Sequence, residues 1–103
     1  MDINREFAYR GKTYGCSTFI DHSVDPCFVF VEFTDPELVG KFGAELTIKT
    51  DFEKLLPYGG RDQELTEVRQ AIFDTLKVDP EFVHAKLKVE ALKLIGLFNE
   101  ANA

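Results

Sequence analysis

The chain has 103 residues, enough for one domain with one hydrophobic core, and its 45% hydrophobic and 29% charged residues argue against a disordered or membrane class. Its formal charge of −6, with acids outnumbering bases in both halves and no local Lys/Arg cluster, excludes the positive field that supplies most non-specific nucleic-acid affinity. Ten Phe and three Tyr with no Trp make the core aromatic-rich, so some rings are expected at the surface.

The start Met1-Asp2-Ile3-Asn4-Arg5 lacks a basic segment followed by an apolar stretch. No apolar run approaches the roughly 18 residues of a membrane helix. A cytoplasmic protein with no membrane association is therefore expected. Cys16 and Cys27 fall in strand-like segments and are expected to be reduced core thiols rather than a disulfide.

Phe7 to Tyr14 reads as a hairpin, because Gly11 can take the positive φ of a tight turn. With Arg10 and Gly11 as the loop, Phe7 faces Tyr14 and Arg5 faces Cys16, and the second strand continues through Thr18 and Ile20. Asp21 to Pro26 is dense in turn formers and reverses the chain. Cys27 to Phe33 is apolar on both faces, with Cys27, Val29, Val31 and Phe33 pointing one way and Phe28 and Phe30 the other. Such a strand is expected to be covered on both sides. Thr34-Asp35-Pro36-Glu37 breaks it, since Pro36 cannot donate to a ladder. Leu38 to Gly43 reads as a connection, and Glu45 to Thr50 alternates as a half-exposed fourth strand with Leu46 and Ile48 inward.

Near residue 52 the apolar period changes from two to three or four, which marks the passage from strands to helices. Asp51 to Leu56 reads as a short helical turn that stops before Pro57. Asp62 is a helix N-cap, and Leu65, Val68, Ile72 and Leu76 form one stripe of a helix that ends at Leu76. Asp79-Pro80 starts the last helix, expected to end near Phe98, with Gly96 weakening its last turns. That helix carries two apolar stripes: Val83, Leu87, Ala91, Leu94 and Phe98 in one, and Phe82, Ala85, Val89 and Leu92 in the other. Strands first and helices after them predict an α+β domain: a four-stranded antiparallel meander followed by two C-terminal helices in two layers, spanning residues 1–103.

No segment carries a catalytic signature. His22 with Asp21, Asp25 and Cys27 is the one cluster of metal-capable side chains, and backbone hydrogen bonding in a turn explains it better than zinc does. His84 has no acidic or cysteine partner one helical turn away and reads as a surface or boundary residue. Tyr58-Gly59-Gly60-Arg61 precedes a helix N-terminus and is a candidate anion or ligand loop, though it lacks the Lys-Ser/Thr ending of a phosphate loop. Neither a metal nor a cofactor is expected.

Phe28, Phe30, Tyr9 and Tyr14 are candidates for an apolar face on the side of the sheet away from the helices, unless the loops of residues 34–44 and 51–61 fold over it. Val89 and Leu92 are candidates for a second contact surface on the last helix. In two layers one neighbour covers only one side of each element, so these surplus faces predict self-association, most simply as a homodimer, or an unknown protein partner. The chemistry-poor sequence thus points to an interaction or assembly module. The alternative is a ligand-binding or enzymatic domain with a pocket between the sheet and the Tyr58 to Arg61 loop.

Overall fold

A computed structural model describes residues 3–22, 26–59 and 62–96. The chain forms β1 (Ile3–Tyr9), β2 (Lys12–Asp21), β3 (Cys27–Phe33), α1 (Pro36–Phe42), β4 (Glu45–Thr50), β5 (Leu55–Leu56), α2 (Gln63–Leu76) and α3 (Pro80–Leu94). The strands make one antiparallel sheet in sequence order. The α+β class, the antiparallel meander and the two C-terminal helices follow the sequence reading. A fifth strand and a third helix were missed.

The β1–β2 hairpin turns on Arg10 and Gly11, both at positive φ (50° and 77°), the conformation whose twist matches the flanking strands. It sets the register Phe7 opposite Tyr14 and Arg5 opposite Cys16. Cys16 in turn pairs with Phe33. Strict alternation then puts Phe7, Tyr9, Tyr14, Cys16 and Ile20 on the same face as Cys27, Val29, Val31 and Phe33, and all are buried. Tyr9 and Tyr14 therefore belong to the core and not to the outer face. Their rings lie 6.4 Å apart and Tyr14 meets Phe7 at 5.9 Å.

The connection after β3 is helix α1. Asp35 accepts the Glu37 amide at 2.9 Å, Pro36 occupies the first turn, and Gly43 closes the helix at φ 88°. The start is Asp-Pro-Glu, the same three residues that open α3 at Asp79. Leu38 is buried in the common core and Phe42 packs on Phe33 at 6.4 Å, so α1 lies on the helical side of the sheet.

The segment after β4 is not a helical turn. Asp51 does cap the amides of Glu53 and Lys54, but Phe52 takes a φ of 74°, which reverses the chain so that Leu55 and Leu56 pair back on Thr50 and Lys49 as β5. Thr50 anchors this reversal from inside: its hydroxyl accepts the Phe52 amide at 3.0 Å and donates to the Lys54 carbonyl at 2.6 Å. The strained Phe52 in return places its ring in the core, 5.1 Å from that of Phe82.

Helix α2 lies against both β1 and β5, the first and last strands, so the sheet curls around it. Val68, Ile72, Phe73 and Leu76 face inward, close to the predicted stripe. Helix α3 docks by Phe82, Ala85 and Val89, and ends at Leu94 rather than near Phe98, with Gly96 following at φ 72°. Phe98 lies outside the described residues. Arg5, almost wholly buried, ties β1 to the start of α3 through Asp79 at 3.1 Å and Glu81 at 3.3 Å.

Candidate functional site

The helices and the inward residues of the sheet form one core, and among the described residues no second layer lies on the opposite side of the sheet. On that side stand residues that alternate with the core: Ser17, Phe19 and Asp21 on β2, Phe28, Phe30 and Glu32 on β3, and Glu45, Thr47 and Lys49 on β4. Phe30 is the middle residue of the central strand and is 46% exposed; Phe19, directly opposite it on β2, is 38% exposed.

The rings form a continuous row. Phe19 stacks on Phe30 at 6.4 Å, Phe30 on Phe28 at 6.4 Å, and Tyr58 meets Phe28 edge-on at 5.6 Å. Separations of this kind each add about 0.5–1.5 kcal/mol beyond area burial, so the row is a stable surface feature even where water reaches it. Tyr58 is the part of the 51–61 loop that folds toward this face; the 34–44 segment, as α1, covers the other side.

At one end of the row lies an open groove of about 250 Å³, lined by Ser17, Phe19, Phe30, Glu32, Glu45 and Thr47. Glu32 and Glu45 are direct cross-strand partners. Like charges placed so destabilise a sheet by a few tenths of a kcal/mol up to about 1 kcal/mol. At the other end Lys49 pairs across the ladder with Phe28. None of the ion pairs among the described residues involves Glu32, Glu45 or Lys49. The face is thus aromatic in the middle and acidic at one end, while at the other Asp21 and Lys49 flank Phe28 with opposite charges.

Of the residues expected at an outer face, the fold brings Phe28 and Phe30 together there and turns Tyr9 and Tyr14 inward. Phe19 joins them and was missed; its signal was present, because it faces Phe30 once the β2–β3 register is fixed. On α3 the two stripes exchange roles. Val89 is 3% exposed and Leu92 half-buried, whereas Val83, Leu87, Leu94 and the following Ile95 are exposed, Leu94 by 88%. Val89 is therefore a docking residue of the core and not a contact surface. Phe52 and Phe73, waiting on either side of Phe82, decide which stripe turns in.

The Tyr58 to Arg61 loop does not make a closed pocket with its described residues. Leu55, Leu56, Pro57, Tyr58, Gly59, Thr66, Arg69 and Gln70 line an open cleft. Arg69 is already engaged, donating through Nε to the Thr47 carbonyl on the edge of β4 at 3.1 Å. Asp62 fills the α2 N-terminus with its own carboxylate, accepting the Leu65 amide at 3.0 Å. Gly60 and Arg61 lie outside the described residues, as does Asp25 of the turn around His22.

Cys16 and Cys27 are both buried, and no disulfide joins them. Cys16 sits beside Phe33 and Cys27 begins the same strand, about 20 Å away at the rise of a β-strand, too far for a bond within one chain. Burial pushes the Cys16 thiol up to about 11, and the nearby Arg5 charge only partly opposes this. It is a packing residue and a poor nucleophile. No group of three or more His, Cys, Asp or Glu side chains that could hold a metal occurs among the described residues, and no helix among them is long and apolar enough to cross a membrane. Compared with protein-family models, curated proteins and solved structures, the chain matches none.

Proposed function

We propose that the protein is a small cytoplasmic interaction or assembly module that associates with itself and acts by binding rather than catalysis, with the outer face of the sheet as its contact surface. The observation that carries this reading is the uncovered row Phe19, Phe30, Phe28 and Tyr58. Contiguous exposed aromatics on a rigid sheet are what the desolvated centre of an interface uses, because they bring large area at little cost in side-chain entropy. The rim of acids, hydroxyls and one lysine suits the polar periphery of such a contact.

Sedimentation velocity across low to high micromolar concentrations tests the reading. The unmodified chain is expected to show a concentration-dependent dimer, and Phe30→Ser to shift it toward monomer while far-UV circular dichroism stays unchanged. A chain that remains monomeric at high micromolar concentration overturns self-association. A dimer insensitive to Phe30→Ser removes the sheet face from it.

A further inference from the structure

We draw no further inference here: the strongest candidate, the exposed apolar stripe of Val83, Leu87 and Leu94 along α3, carries nothing because no feature of the structure shows what covers it.

Discussion

Phe82→Ala separates the two faces of α3 and measures what holds that helix to the domain. The Phe82 ring is 1% exposed, lies 5.1 Å from Phe52 and stands perpendicular to Phe73 at 6.0 Å. Truncating a Phe so enclosed removes its transfer free energy and leaves a cavity between two rings that cannot close over it. The cost is about 3–5 kcal/mol. Against a total stability of about 5–15 kcal/mol for a domain of this size, that is about a fifth of the whole or more. At about 4–8 °C per kcal/mol for a domain near 100 residues, the midpoint should fall by more than about 12 °C. Leu87→Ala, five residues on and 58% exposed, should cost less than about 0.5 kcal/mol. Urea and thermal unfolding followed by far-UV circular dichroism are the assays, since the chain has no tryptophan to report by fluorescence. Equal losses in the two variants, or a larger one in Leu87→Ala, would falsify the assignment of Phe82, Ala85 and Val89 as the docked stripe.

Three further outcomes are expected. Asp62 and Asp79 both cap helices, but Asp79 also holds the buried Arg5 through its second oxygen at 3.1 Å. Asp62→Ala should therefore cost about 1 kcal/mol, and Asp79→Ala about 3–5 kcal/mol because a buried charge loses a partner; matched losses in denaturant titrations would show that Arg5 gains nothing from Asp79. Thr50→Val keeps the shape of a side chain with no exposure but strips the Phe52 amide of its acceptor and the Lys54 carbonyl of its donor. A loss of about 2–5 kcal/mol is expected from those two orphaned groups, and a neutral result would mean the turn is held by the Phe52 ring alone. Cys16 ionises more readily unfolded, near the usual 9.0, than folded, at about 11. Its contribution to stability is thus fully present below pH 9 and is lost as the pH rises from there through about 11. The stability advantage of the unmodified chain over Cys16→Ala should shrink across that window, and thiol labelling at pH 8 should need unfolding; rapid labelling of the native protein at Cys16 would contradict its burial.

Local chemistry alone determined much of this fold. Arg10-Gly11 fixed the first hairpin and its register, because a two-residue loop with two positive φ angles allows only one pairing of the strands it joins. The same period-two logic correctly divided β3 into Phe28 and Phe30 on one side and Cys27, Val29, Val31 and Phe33 on the other. The α2 stripe and the two N-caps Asp62 and Asp79 were equally legible, since each depends on residues within a turn of one another. Two further features obey the same local rules. Asp35-Pro36-Glu37 carries the same start signal as Asp79-Pro80-Glu81, and Tyr14 shares by alternation the inward face of Cys16, which pairs with Phe33, rather than the face of Phe30.

The remaining differences lay beyond any local pattern. The two stripes of α3 are nearly equal in apolar character, so nothing within the helix distinguishes them; Phe52 and Phe73, brought together from different elements, select the stripe of Phe82. Phe52 in turn depends on a positive φ that its own residue type opposes and that the buried Thr50 hydroxyl enforces, which is why the sequence suggested a helical turn where the chain makes a strand. Whether a strand that is apolar on both faces is covered on both faces is likewise decided by where the other elements go. All three helices gather on one side of the curled sheet, because their buried residues share a single core there, and Phe19, Phe30 and Phe28 are left on the other.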